Sequence, residues 1–254
     1  MINLESYELM ILMGITYFLA GSIKGVIGIG LPTTGMAILS FFVNPLTALG
    51  LNLMPMFISN LWQFWKAENH FSLINQYKFF AFFMMVLILL TSFYAVNLGD
   101  NLIRLIFGFI VLVFVIFSFS GFKPRVIYKN DRLMQITFGS LSGLLGGATS
   151  LWALPITFYL FMKNLSPKQF VDASGFFIML GCIPVSIGYF STDVFVVEMV
   201  TFGLIGSLCA ILGFQLGEKL RNKINSEIFK KLVLIFFSLA GLKMIVHSVL
   251  NIYY

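Results

Sequence analysis

The chain has 254 residues, of which 59% are hydrophobic and 10% are charged, and its mean hydropathy is +0.96. Soluble domains carry about 25% charged residues, so this composition excludes a water-soluble globular protein and predicts a membrane protein. The net charge of +6 does not indicate nucleic-acid binding. The basic residues lie in short loops between apolar segments, where they set the orientation of a membrane protein.

Cysteine and histidine usage argues against a metal site. Cys182 and Cys209 lie in apolar runs without metal-ligand spacing, and His70 and His247 are isolated. The sequence therefore predicts neither a disulfide framework nor a metal site, and we expect no cofactor.

Two glycine-rich stretches interrupt the apolar sequence, one in each half of the chain. Their glycines match at a single offset of 118 residues: Gly21, Gly25 and Gly28 with Gly139, Gly143 and Gly146. Three glycines in one register indicate an internal duplication. In membrane transporters, broken apolar segments at matching positions of two halves are the best sequence pointer to the binding site.

Each half is predicted to contain a glycine-broken hairpin followed by three membrane spans. In the first half, residues 1–125, the hairpin covers 7–42 and the spans follow at 46–66, 78–97 and 102–122. In the second half, residues 126–254, the hairpin covers 133–163 and the spans follow at 168–190, 194–215 and 230–250. Hairpin arms of about 14 residues give roughly 21 Å of helix, which is short of the ~30 Å hydrocarbon core.

The distribution of basic residues predicts the topology. Most lysines and arginines fall in loops 66–78, 123–132 and 218–231, which should therefore face the cytoplasm. The basic loop at 123–132 and the acidic Asp193 should face opposite sides of the membrane, so an odd number of crossings must separate them. Three apolar segments lie between them, namely two short hairpin arms and one long span. The two arms must therefore enter and leave on one face. The result is an all-α, multi-pass protein of the cytoplasmic membrane, built from two inverted repeats, with both termini outside. Two full spans in place of each hairpin would give the same parity.

The hairpin tips carry most of the candidate substrate-binding groups. Glycine permits positive φ and close backbone approach. The second arm of each hairpin is predicted to begin at Gly28 or Gly147, where free N–H groups and the helix dipole favour an anion. The candidates at the tips are Lys24, Gly28, Gly30, Gly146, Gly147, Thr149 and Ser150. The alternatives are close helix packing for the glycines and snorkelling to the interface for Lys24.

Further candidates lie on the long helices that follow the hairpins. Asn52 and Ser174 each stand seven residues after the proline that opens their helix, and they are predicted to face the site between the tips. The alternative is an interhelical hydrogen bond; Asn60 is a weaker candidate. Asp172 is a candidate proton relay, unless it merely pairs with Lys168.

These features favour a secondary transporter of a small anion, with the lipid bilayer as its other partner and no nucleic acid. One alternative is a transporter of a cation or a neutral solute. Another is an intramembrane enzyme, which would need a paired acid and base, a histidine cluster or a metal site, and the spans show none of these. We therefore expect no enzymatic activity. The sequence leaves a homo-oligomer open.

The two glycine motifs resemble those of the sulfite exporter TauE/SafE family of bacterial membrane permeases. Its members have two homologous halves, each with a motif G-x-x-x-G-x-x-G-x-G-G-G, a proline and a downstream P-x-x-A. Residues 21–30 and 45–48 fit this pattern in the first half, and residues 139–147 with Pro155 fit it in the second. The glycine triplet is replaced by Gly30-Leu31-Pro32 and by Ala148-Thr149-Ser150. The resemblance implies transport of a sulfur-containing or organic anion such as sulfite, thiosulfate or a sulfonate.

Overall fold

The computed structural model describes residues 5–67, 70–120, 130–163, 165–221, 223 and 225–253. Its regular secondary structure over these residues is helical, as the sequence predicted. The helices are α1 (Ser6–Ile27), α2 (Leu31–Leu39), α3 (Pro45–Trp65), α4 (His70–Ser92), α5 (Gly99–Ser120), α6 (Asp131–Thr149), α7 (Ala153–Met162), α8 (Pro167–Ser191), α9 (Met199–Leu220) and α10 (Ser226–Tyr253), with a short 3₁₀ turn at Ala95–Asn97.

Six helices in the described part of the chain are long and apolar enough to cross a membrane, namely α1, α4, α5, α8, α9 and α10. Helix α3 has 21 residues, but Asn52, Asn60 and Gln63 lower its hydropathy. All three of these polar side chains are buried inside the protein. The helices therefore form a multi-pass membrane protein in which α3 lies in the interior.

The first arm of each hairpin is longer than the sequence predicted. Helix α1 has 22 residues and α6 has 19, whereas the second arms α2 and α7 have only 9 and 10. The helices continue through their glycines because those glycines pack against another helix. Glycine costs a helix about 1 kcal/mol relative to alanine, which close packing can offset.

Glycine packing joins each first arm to a helix of the other half. A side chain at Gly21 would overlap the backbone of Ala210 in α9, and one at Gly139 would overlap the backbone of Phe80 in α4. Close approach of this kind is the small-residue packing of membrane helices. The glycines that match between the halves within α1 and α6 therefore serve helix packing.

The helix contacts follow one pattern in both halves. Helix α1 packs on α9 and α6 packs on α4; α3 packs on α9 and α8 packs on α4; α3 also packs on α8, and α5 on α10. Exchanging the first five helices for the last five leaves this pattern unchanged. Two copies of one five-helix unit would produce such a pattern, and the inversion of the second copy in the membrane stays a prediction.

The two ends of the second hairpin lie together. Lys163 Nζ, just after α7, lies 2.6 Å from Asp131 Oδ1 at the start of α6. The Tyr159 hydroxyl donates to the same carboxylate oxygen at 3.2 Å. Helices α6 and α7 therefore begin and end at the same end of the bundle, which is the geometry of a hairpin that does not cross to the other face.

Candidate transport site

The first hairpin tip is built around two glycines with left-handed backbone. Gly28 has φ 97° and Gly30 has φ 107°, a region that residues with a Cβ rarely adopt. The Gly28 N–H donates to the Lys24 carbonyl at 2.7 Å and closes α1. Helix α2 then begins at Leu31, with Pro32 in its first turn. Its N-terminus therefore lies three residues beyond the predicted start at Gly28.

The second tip lies later in the chain than the sequence predicted. Helix α6 runs through Gly146 and Gly147 to Thr149, and α7 starts at Ala153. Gly147 packs against the backbone of Ile88 in α4. The prediction that the second arm begins at Gly147 is therefore wrong, because Gly146 and Gly147 lie inside a helix and offer no N-terminal N–H groups to a ligand.

The hydroxyl groups predicted at the second tip make hydrogen bonds within the protein. Thr149 Oγ1 donates to the Leu145 carbonyl at 2.6 Å. Ser150 has a left-handed backbone, with φ 57°, and its hydroxyl lies 3.3 Å from that of Tyr189 in α8. Both residues are buried. They stabilise the tip in this conformation.

The two tips contact different parts of α8. Gly28 lies against Val171 near the start of α8, whereas Ser150 lies against Tyr189 near its end. These positions are 18 residues apart on α8, or roughly 27 Å along the helix axis. That the hairpins bring Gly28 and Gly146 together near the midplane stays a prediction.

One cavity nevertheless borders both hairpins. It has a volume of about 540 Å³ and lies between elements of the two halves. Gly30 and Thr33 line it from the start of α2, and Ala153 and Leu154 line it from the start of α7. The N-terminal turns of both short helices therefore contribute to a single cavity, with α5, α8 and α10 supplying further walls.

The cavity walls are mostly apolar, and their charged groups are basic. Of the described residues that line the cavity, Arg221 and Lys230 carry a charge and no acidic residue is among them. Thr33 and Thr157 add hydroxyl groups. The first turn of a helix leaves N–H groups without helical partners, and these together with the dipole favour an anion. The cavity thus combines mostly apolar walls with a positive electrostatic potential.

Lys24 is buried behind this cavity and does not line it. Its side chain is 1% exposed, and its ammonium donates to Asn60 Oδ1 at 2.7 Å. It also lies 5.6 Å from the centre of the Phe214 ring. Asn60 in turn donates to the Met56 carbonyl at 2.7 Å. Lys24 therefore does not snorkel to the interface. Its partner on α3 is Asn60, which the sequence indicated only as a weaker candidate.

The polar residues on the long helices are also engaged inside the protein. Asn52 accepts a hydrogen bond from the Tyr17 hydroxyl at 2.8 Å and donates to the Pro32 carbonyl at 3.1 Å. It thereby ties α1, α2 and α3 together. Ser174 donates to the Val171 carbonyl at 2.9 Å. Asp172 is partly buried and interacts with another group of the protein. None of these three side chains lines the cavity.

Arg221 is a site residue that the sequence analysis did not single out. It follows α9, and its Nη2 and Nε donate to the Gly25 carbonyl at 2.6 and 3.0 Å. Nε also lies 3.2 Å from the Val26 carbonyl. In the sequence it is one of several basic residues in a loop, and nothing there places it beside a residue almost 200 positions earlier.

Comparison with known proteins identifies the family. The family model described as Sulfite exporter TauE/SafE matches residues 13–244, a range that contains both glycine-rich stretches and both tips. In the same comparisons, neither a curated protein nor a solved structure matches the chain. The match covers nearly the whole chain, and the helices have the length and hydropathy of a multi-pass membrane protein. The chain therefore belongs to the sulfite exporter TauE/SafE family of membrane transporters.

Proposed function

We propose that the protein is a secondary transporter that moves a small anion across the cytoplasmic membrane. The anion is a sulfur-containing or organic one, such as sulfite, thiosulfate or a sulfonate. The observation that carries this proposal is the cavity between the two halves, which is bordered by the starts of two short helices and whose charged residues in the described chain are basic.

Electrostatics favours an anion in this cavity. Each helix N-terminus contributes about half a positive charge, and Arg221 and Lys230 contribute full charges. The apolar walls lower the local dielectric, which strengthens the attraction compared with water. A volume of about 540 Å³ is also typical of small-molecule sites, which occupy roughly 300–1,000 Å³. A cation would find no carboxylate among the described residues that line the cavity.

The candidate residues take different parts in this proposal. Gly30, with the N-terminal turns of α2 and α7, contacts the anion. Gly28 shapes the first tip, and Lys24 contributes positive potential from behind the cavity. The remaining candidates hold the hairpins in place through the contacts described above: Asn52, Gly146, Gly147, Thr149, Ser150 and Ser174. Asp172 takes no part in anion binding.

Anion binding should raise the melting temperature of the purified protein. Ligand at about 100 times its Kd stabilises the folded state by about 2.7 kcal/mol. We expect an increase with sulfite, thiosulfate or methanesulfonate and none with choline, at constant ionic strength. Lys230→Met should reduce the increase, because Lys230 lines the cavity. Lys219→Met removes an equal charge from an exposed position outside the cavity and should not reduce it. An increase with choline and not with the anions would contradict the proposal.

The predicted topology can be tested by cysteine labelling. The ends of α3 and α9 lie together, since Lys66 Nζ is 3.5 Å from Glu218 Oε2, and we expect this end of the bundle, which carries basic residues, to face the cytoplasm. In a Cys182→Ala, Cys209→Ala background, a cysteine at Asp193 should react with an impermeant maleimide in intact cells. A cysteine at Asn130 should react only after permeabilisation. The reverse pattern would overturn the assigned orientation.

A further inference from the structure

Arg221 links the end of α9, the end of α1 and the cavity. Its backbone ends α9, since its N–H donates to the Gly217 carbonyl. Its guanidinium reaches α1 and donates to the carbonyls of Gly25 and Val26. The same residue lines the cavity together with apolar residues of α5 and α7. One side chain thus touches both the proposed anion site and the end of the first hairpin arm.

The carbonyls that Arg221 holds belong to the last turn of α1. The last four carbonyls of a helix have no N–H partner within the helix, so Arg221 supplies hydrogen bonds that α1 cannot supply itself. Directly beyond this turn come Gly28 and Gly30, both with left-handed backbone. Two such glycines allow the chain to change direction at small cost. The end of α1 is therefore a place where one lost contact can move the tip.

An anion in the cavity competes with these carbonyls for the guanidinium. The guanidinium is ionised, so its hydrogen bonds to the carbonyls are already charge-assisted, but an anion adds the attraction between two opposite unit charges, which is strong beside apolar walls. The planar guanidinium fork also matches a carboxylate or an oxyanion of sulfur better than a single carbonyl oxygen. The α1 carbonyls offer Arg221 only partial negative charge, whereas an anion offers it a full negative charge.

We propose that Arg221 is the positioning residue that couples anion occupancy of the cavity to the first hairpin tip. Binding draws the guanidinium from the Gly25 and Val26 carbonyls towards the anion and releases the last turn of α1. The inference rests on the proposed function, because it places the anion in this cavity. A residue that only caps α1 would hold the tip equally firmly with and without an anion.

Hydrogen exchange at the tip tests this coupling. The purified protein is labelled in deuterium with methanesulfonate, sulfite or thiosulfate, or with choline chloride at equal ionic strength, and exchange is followed at Gly28, Ile29 and Gly30. We expect a binding anion to speed exchange there by roughly tenfold or more. This is the change expected when one hydrogen bond to a charged group is lost. In Arg221→Lys the tip should exchange fast without anion and respond little to it. Lys219→Met should behave as the wild type.

Melting temperatures measured on the same samples separate the two proposals. If an anion raises the melting temperature but leaves tip exchange unchanged in the wild type, the coupling through Arg221 is refuted while the anion site stands. An anion response of equal size in Arg221→Lys would refute it as well. If none of the probe anions raises the melting temperature, the anion site itself is refuted and the coupling with it.

Discussion

Gly21→Ala will strongly destabilise the protein, whereas Gly14→Ala on the same helix will be tolerated. A methyl group at Gly21 would overlap the carbonyl oxygen of Ala210 and lie 2.9 Å from its carbonyl carbon. These are backbone atoms of α9 and cannot rotate away. Overpacking of this kind costs about 1–3 kcal/mol and occasionally more, and we expect the upper end because two long helices must separate.

Gly14→Ala is the matched control. The nearest atom to a methyl group there is Cys209 Sγ at 3.7 Å, which is an ordinary van der Waals contact. Alanine also favours a helix over glycine by about 1 kcal/mol, so this variant should melt at or slightly above the wild-type temperature. Melting temperature in detergent and the fraction of monodisperse protein measure both effects. Equal melting temperatures for the two variants would contradict the close packing of α1 on α9.

The counterpart of Gly21 in the second half should respond in the same way. Gly139 meets the backbone of Phe80 in α4 as Gly21 meets that of Ala210 in α9. Because the helix contacts follow one pattern in both halves, Gly139→Ala should cost about as much as Gly21→Ala. The matching positions of the two glycines in the sequence thus predict similar losses of stability. The sequence does not show which helix each glycine contacts.

Composition and local pattern predicted the membrane character and the helical fold of the chain. Hydropathy is a property of each segment, so long apolar runs are visible without a partner. The positive φ of Gly28 and Gly30 also follows from local sequence, because two glycines and a proline stand close together where the apolar run is interrupted. These features needed no knowledge of which segments meet in space.

The sequence does not predict the features that depend on a distant partner. Gly146 and Gly147 were expected at the second tip, but contact with α4 keeps them inside α6. The second tip lies at Ser150 and not at Gly147, where it was predicted. Ser150 lacks the conformational freedom of glycine, and its hydroxyl contact with Tyr189 holds it in place. Arg221 contacts Gly25 across almost the whole chain. The periodicity of a single sequence does not indicate which distant residues are in contact.

Lys24→Met should weaken anion binding by about 30-fold. Among the described residues no carboxylate forms an ion pair with Lys24, and its ammonium bonds to the neutral amide of Asn60. Its positive charge is therefore not cancelled nearby. Ile23 and Val26, its near neighbours on α1, line the cavity. A unit charge roughly 8 Å from an anion contributes about 2 kcal/mol at an effective dielectric of about 20, which corresponds to about 30-fold in Kd.

Stability must be separated from binding, since Lys24→Met alone leaves Asn60 Oδ1 buried without its donor. An unsatisfied buried acceptor costs about 1–3 kcal/mol. The double variant Lys24→Met/Asn60→Leu removes both partners, and replacing buried polar partners by apolar groups is often nearly neutral. We expect this variant to melt near the wild-type temperature and still to bind the anion weakly in titration calorimetry.

Lys24→Arg separates the charge of this residue from its shape. The guanidinium keeps the positive potential, so anion affinity should stay within a few-fold of the wild type. The planar fork is larger than the ammonium it replaces, and the pocket between Asn60 and Phe214 is closed, so the melting temperature should fall. Wild-type affinity in a well-folded Lys24→Met/Asn60→Leu protein would remove Lys24 from the site. Binding would then depend on the N-terminal turns of α2 and α7 with Arg221 and Lys230.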